Sequence, residues 1–477
     1  MANKMQDQDI AKLEESIGQM WDLARDFGLD PFPVRFEVVP AAIMYEFGAY
    51  GLPGRFSHWT HGKAYHQLKT MYDYGLSKIY ELVINTDPAY GFLLETNSLI
   101  QNKMVAAHVL AHVDFFKHNA YFRETSRQML EAASINASRI REYEFEHGSL
   151  EVERFLDAIL SIQEHVDPQQ ALTRRPVRRP AGSHGREPKH RVEGPYEDIL
   201  SLGEPRQEEG PSPRKFPEEP QKDLLLFMAE SSPILEEWQR DIIHIVRHEM
   251  LYFYPQIQTK VMNEGWASYW HSRILREMDL TESEYIEFAN LHSGVLGASK
   301  HRLNPYLLGL KIFEDIERRW DSPTEEERKR FGRQGGEGRR KMFEVREMES
   351  DVSFLRNYLT KELVEELDLY LYEEQEGQLV IVEKDWEKVR DTLVGSMTNQ
   401  GFPYIMVEDG DYGGNRELYL KHYYDGHPLD LPYAEKVLQH LFLLWGRPVH
   451  LETVIDEKPN LLSYNGKDSK QERLEAA

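Results

Sequence analysis

Between Pro168 and Pro220 the chain changes character: 53 residues hold 10 of its 24 prolines, with Arg174 to Arg191 basic and Glu204 to Glu219 largely acidic. A run of this kind cannot bury enough apolar surface to offset the chain entropy lost on folding. The composition therefore predicts a flexible, charged insertion over 167–222. The remaining sequence divides into a helical half at 1–166, a second helical half at 223–375 and a small α/β unit at 376–477. The fold class that follows is α+β, a mainly helical N-terminal and central body with a small C-terminal β-β-α-β unit.

Periodicity supports that division. Ile10, Leu13, Ile17, Met20, Trp21 and Leu23 recur at helical spacing before Gly28, and Ser98 to Phe122 carries an apolar stripe through Val105, Val109 and Phe116. Strand or loop signals lie around Phe36 to Val39, and a strand is expected from Ile79 to Ile84. In the second half, helices are expected at Ile234 to Tyr254, with Pro255 as a break, and at Thr259 to Glu277. Thr281-Glu282-Ser283-Glu284 marks a further helix start, and Asn304-Pro305 opens a helix through Trp320. The polar stretch Asp321 to Arg340 is expected as a loop, and Ser353 to Leu371 as a helix. Pro403 to Glu408 and Glu417 to Tyr423 are expected as strands, Pro432 to Leu444 as a helix and Val449 to Val454 as a strand.

Charge and cysteine content bound the chemistry. With 57 Lys+Arg against 81 Asp+Glu the formal net charge is −24, a surface that repels phosphate, so nucleic acid is not an expected partner. The absence of Cys excludes disulfides, thiolate nucleophiles and Cys-ligated metal sites. Any metal must be held by His, Asp, Glu or backbone oxygen. No N-terminal apolar segment and no uninterrupted apolar run of membrane length occur, so the expectation is a soluble cytoplasmic protein without membrane insertion.

Two segments offer metal-ligand spacing. His108 and His112 stand at i and i+4 in a predicted helix, so one turn presents two imidazoles on one face. His244 and His248 repeat the spacing, with Glu249 next in sequence. Downstream, Glu264 and His271 are seven apart and nearly eclipsed on a helix. Two His from one helix and a Glu from another is the ligand set of a His-His-Glu zinc peptidase. The usual peptidase motif places a Glu directly after the first His, whereas Val109 and Ile245 stand there. A catalytic base must then come from Glu249, Asp114 or Glu95. Glu46, His58, His61 and Lys63 form a weaker polar cluster, and a carboxylate-rich two-metal site using Glu46 or Glu95 is a further alternative.

The segments His108-Val-Leu-Ala-His-Val-Asp-Phe-Phe-Lys-His-Asn119, Tyr252-Phe-Tyr-Pro-Gln256, Asn263-Glu-Gly-Trp-Ala-Ser-Tyr-Trp-His271, Asn304-Pro-Tyr-Leu-Leu-Gly-Leu-Lys-Ile-Phe-Glu-Asp-Ile-Glu317 and Asp351-Val-Ser-Phe-Leu-Arg-Asn357 resemble the stage V sporulation protein R (SpoVR-like) family. The resemblance spans nearly everything outside the Pro-rich segment. It implies a role in building spore cortex peptidoglycan from the mother-cell cytoplasm, with relatives in non-sporulating bacteria linked to a serine-kinase and stress-response gene group. Against the family pattern this chain carries Ala111 for Gly and His118 for Asn, and His248 falls at a position where relatives vary. The metal ligands expected are thus His108, His112, Glu264 and His271, holding zinc or another divalent metal, with Glu249 or Asp114 as catalytic acid/base. The activity expected is hydrolysis of an amide bond. The alternative is a non-enzymatic assembly or signalling factor that binds partner proteins, with the His/Glu cluster as a buried polar network.

Overall fold

A computed structural model describes residues 7–74, 81–170, 215–297, 303–375 and 378–474. Most of the expected insertion, 171–214, lies outside the described residues, as do the first two residues of the strand expected from Ile79. The chain forms two compact units, each assembled from two stretches. The first comprises Met1–Asp157 with Ile245–Phe402, and the second Ala158–His244 with Pro403–Ala477.

The first unit is helical around a small sheet. Strands β1 (Val34–Val39), β2 (Glu81–Ile84) and β3 (Ala89–Leu94) lie in the order β1-β3-β2, with β1 parallel and β2 antiparallel to β3. Its central helix is Leu99–His118, buried at every position from Ile100 to Phe116 except Gln101. A capping box starts it: the Ser98 hydroxyl accepts from the Gln101 amide, and the Ser98 amide donates to the Gln101 side chain. A helix wetted on no side belongs in the middle of a core. Here the core includes Phe115, Trp266, Trp270, Phe313 and Phe354.

The second buried helix, Lys260–Glu277, is buried from Val261 to Leu275 apart from Arg273. Its first amides, Val261 and Met262, donate to the carboxylate of Asp351 at 2.8 and 2.9 Å. It crosses the helix Pro305–Asp321 at a glycine pair. A Cβ on Gly265 would lie 2.3 Å from the Gly309 carbonyl carbon, and one on Gly309 would lie 2.1 Å from the Val261 oxygen. Backbone therefore meets backbone at this crossing, and no larger residue fits either position. A hairpin of β4 (Leu371–Gln375) and β5 (Gln378–Glu383) and a helix, Trp386–Met397, complete the unit.

The second unit carries a five-stranded sheet, in the order β10-β9-β8-β7-β6, from β6 (Ile405–Tyr412), β7 (Glu417–His422), β8 (Val449–Ile455), β9 (Lys458–Tyr464) and β10 (Ser469–Arg473). The helix Leu431–Trp445 connects β7 to its parallel neighbour β8. Leu224–Ser231 packs in this unit through Phe227, whose ring stacks on Trp445 at 5.6 Å.

The α+β class with a helical body and a C-terminal β-containing unit is what the structure has. Several details differ from the sequence reading. The C-terminal order is β-β-α-β followed by two further strands. Pro255 does not break its helix: Glu237–Gln258 runs through it, giving up the one hydrogen bond that the missing N–H would make. The stretch 321–340 is not a single loop. A Thr324 capping box starts the short helix Glu325–Phe331, and another helix begins at Gly338. The helix expected from Ser353 to Leu371 is two, Asp351–Tyr358 and Lys361–Glu366, with β4 starting at Leu371.

Candidate metal centre

Two imidazoles on a fully buried helix must find polar partners, because burying an unpaired polar group costs several kcal/mol, roughly 2–7. His108 and His112 turn their Nε2 atoms to the same place. Their rings are 4.5 Å apart. There His108 Nε2 lies 3.3 Å from Glu264 Oε2 and 3.3 Å from Glu81 Oε1. His112 Nε2 lies 3.4 Å from Glu264 Oε2 and 3.8 Å from Glu81 Oε1. Glu81, His108, His112 and Glu264 each offer one donor atom, and all four atoms fall within 4.8 Å of one another.

Donor spacing and charge both suit a divalent cation. Metal–ligand distances of about 2.0–2.1 Å in a tetrahedron imply donor–donor edges of roughly 3.3 Å, close to three of the four separations. Two carboxylates and two neutral imidazoles leave two negative charges in a buried place. The free side chains meet that demand with protons. Burial opposes a charge on His112, yet its hydrogen bonds to Glu264 and Glu81 and their charges outweigh burial and raise its pKa to about 10. Burial would raise the Glu264 pKa, but the bonds to His108 and His112 and the Lys260 ammonium hold it well below the usual carboxylate range. A bound divalent cation supplies the same positive charge without the proton.

The surroundings fix these groups. Lys260 Nζ sits 2.6 Å from Glu264 Oε1, leaving Oε2 for the histidines. Asn263 Oδ1 is 2.8 Å from His112 Nδ1 and so accepts its proton, which orients that ring. The Tyr306 hydroxyl bonds to Glu264, and burial together with the charges of Glu264 and Glu81 raises its pKa, so it stays protonated and donates. Tyr306 opens the helix that Asn304 caps, and Gly309, one turn later, makes the close crossing beside Glu264. On the far side of His108, its Nδ1 is 2.8 Å from His271 Nδ1, and His271 Nε2 is 2.8 Å from His292 Nδ1.

Of the expected ligands, the structure brings His108, His112 and Glu264 together. His271 adjoins His108 through the nitrogen that faces away from the cluster. The expected acid/base residues are bonded elsewhere. Asp114 accepts from the Asp30 amide (2.8 Å), Trp266 Nε1 (3.0 Å) and Arg346 Nη1 (2.7 Å), and Glu249 accepts from Arg55 Nε at 2.7 Å. His244, His248 and Glu46 are exposed. Sequence reasoning missed Glu81, Lys260, Tyr306 and His292. Lys260 had a signal, since it precedes Glu264 by one turn; Glu81, at the start of a four-residue strand, had none.

Fold and site together define an α+β protein with a buried two-histidine, two-glutamate group suited to a divalent cation. The chain belongs to the SpoVR like protein family, which matches residues 7–402, and the SpoVR-like C-terminal domain matches residues 403–456. It is similar to the uncharacterized protein YcgB of Escherichia coli (strain K12), 31% identical over 471 residues that cover 92% of this chain and 91% of the relative. No solved structure matches it.

Proposed function

We propose that this chain is a metal-dependent hydrolase of amide bonds, with a zinc or similar divalent ion held by His108, His112 and Glu264. The observation that carries the reading is the convergence of two imidazoles and two carboxylates at metal-ligand spacing in the core. Such an ion polarises a carbonyl and lowers the pKa of water. The chain's own groups supply the rest. Glu81 keeps 21% of its side chain exposed while Glu264 keeps 7%, which suits Glu81 to receive a proton from the solvent side and Glu264 to remain a ligand. Tyr306 and Lys260 donate to Glu264 and keep it ionised and fixed in place. In this reading Glu81 takes the acid/base role expected of Glu249 or Asp114, whose carboxylates serve buried structural ion pairs. His271 supports His108.

Family membership supports placing the activity in sporulation, and within it in formation of the cortex peptidoglycan, from the mother-cell cytoplasm. Among the described residues no helix is long and apolar enough to cross a membrane. Peptides of peptidoglycan precursors are therefore the substrates to try first. Glu81→Gln is expected to keep the metal and to lower hydrolysis by about 100- to 10,000-fold, whereas Glu249→Gln lowers it little. A Glu81→Gln variant as active as the wild type on a substrate that the wild type cleaves would refute the assignment.

A further inference from the structure

The hydrogen bonds from His108 outward form a directed chain. With His108 Nε2 committed to the metal cluster, its Nδ1 carries the proton and donates to His271 Nδ1 at 2.8 Å. His271 then carries its proton on Nε2 and donates to His292 Nδ1, also at 2.8 Å. His292 is left with an Nε2–H that no described residue accepts. That ring lines a pocket of about 480 Å³ together with Arg276, Tyr285, Phe288 and Ser293. Phe288 stacks on the imidazole at 5.7 Å. Arg276 is exposed and makes no ion pair among the described residues, in a chain with 24 more acidic than basic side chains. An Arg, an imidazole N–H and two hydroxyls around one cavity are donors waiting for an acceptor.

We infer that this pocket binds a small oxyanion, a carboxylate or phosphate group of a ligand, and that the His292–His271–His108 chain couples its occupancy to the metal centre. The inference rests on the metal reading for the coupling and on the pocket alone for the binding. The sign follows from the direction of the chain. An anion accepting from His292 Nε2–H makes Nδ1 of that ring a better acceptor, which strengthens the donation from His271 and in turn that from His108. A more strongly engaged Nδ1–H makes His108 a more basic ligand. Anion and metal therefore tighten each other's binding by the same factor.

The test uses the full chain. Zinc affinity is measured by competition with a chromophoric chelator in acetate, methyl phosphate or chloride at equal ionic strength, and anion binding to the metal-free chain by calorimetry. One of the two oxyanions should tighten zinc binding by about fivefold or more, and which one it is identifies the class of ligand. Arg276→Gln should abolish both the coupling and the binding to the metal-free chain. Chelation of zinc by the anion in solution would act equally on wild type and variant, so that comparison removes it. In His292→Asn the side-chain oxygen still accepts from His271, so zinc affinity in chloride should persist while the anion effect disappears. If zinc binds and neither anion changes its affinity, the coupling is wrong. If neither anion binds the metal-free wild type, the pocket assignment is wrong whatever the metal does. If zinc fails to bind while an oxyanion binds and Arg276→Gln removes it, the metal reading fails and the pocket stands.

Discussion

Glu264 shows how one residue is made into a ligand. Its Oε1 is held by the Lys260 ammonium, its Oε2 by two imidazoles, and the side chain is buried. The i,i+4 pair of histidines was legible in the sequence because helical spacing dictates which residues share a face. Glu81 was not, because its approach to His108 depends on how a sheet edge packs on the helix. Asp114 and Glu249 were candidate acid/base residues in the sequence, and the structure pairs Asp114 with the buried Arg346 and Glu249 with the half-buried Arg55. Glu249 shows what that pairing does: its side chain is 1% exposed, burial raises its pKa, and Arg55 works against the rise. Removing the cation leaves a buried charge unpaired, so Arg55→Ala should cost about 3–5 kcal/mol, and joint replacement of Arg55 and Glu249 by leucines should recover most of it. Denaturant midpoints of the three chains measure this, with metal content unchanged. Equal stability of Arg55→Ala and wild type would show that the pair carries no weight.

At the level of elements, the site depends on a crossing of two helices at bare backbone. Gly309→Ala puts a methyl group into the Val261 carbonyl, so the helices must separate at the turn that carries Glu264 and Tyr306. Overpacking of this kind costs about 1–3 kcal/mol, and metal affinity should fall by about tenfold or more as Glu264 moves. An Ala variant with wild-type affinity would show that the crossing does not set the ligand geometry. The helix Trp59–Asp73 gives a pH prediction. His61 is buried and donates to the Phe56 carbonyl. Burial first, then the Arg55 charge, lowers its pKa from 6.5 to about 4. Between those pH values the unfolded chain binds more protons there than the folded one. Stability is thus unaffected above about pH 6.5 and falls by up to about 3 kcal/mol as the pH drops to 4. His61→Phe should flatten that part of the pH profile, and an unchanged profile would assign the acid sensitivity elsewhere. Elements with capping boxes at Ser98 and Thr281 could be read from sequence, since the start signal is local. Strand β10, Ser-Lys-Gln-Glu-Arg, could not: it is an exposed, charged edge strand with no apolar alternation. Pro255 misled because a proline's cost is local, whereas Tyr252 and Tyr254 anchor the surrounding turns in the core.

For the whole molecule, the division of the chain matters more than its order. All four cluster residues, and the His271–His292 relay, belong to the unit formed by Met1–Asp157 and Ile245–Phe402. The five-stranded sheet belongs to the other unit, where Phe227 and Trp445 stack. A chain ending at Phe402 should accordingly keep the metal stoichiometry while losing solubility through the uncovered Leu224–Met228 segment. Loss of metal from a soluble truncated chain would contradict that separation. The central claim is that His108, His112 and Glu264 hold a divalent cation, with Glu81 beside it. Elemental analysis of the full-length chain, purified without chelators beside His112→Ala and Glu264→Ala, tests it most directly. The account predicts about one divalent ion per wild-type chain, lost in both variants with helical content retained. A folded wild-type chain that stays metal-free after exposure to zinc, manganese and iron would contradict it.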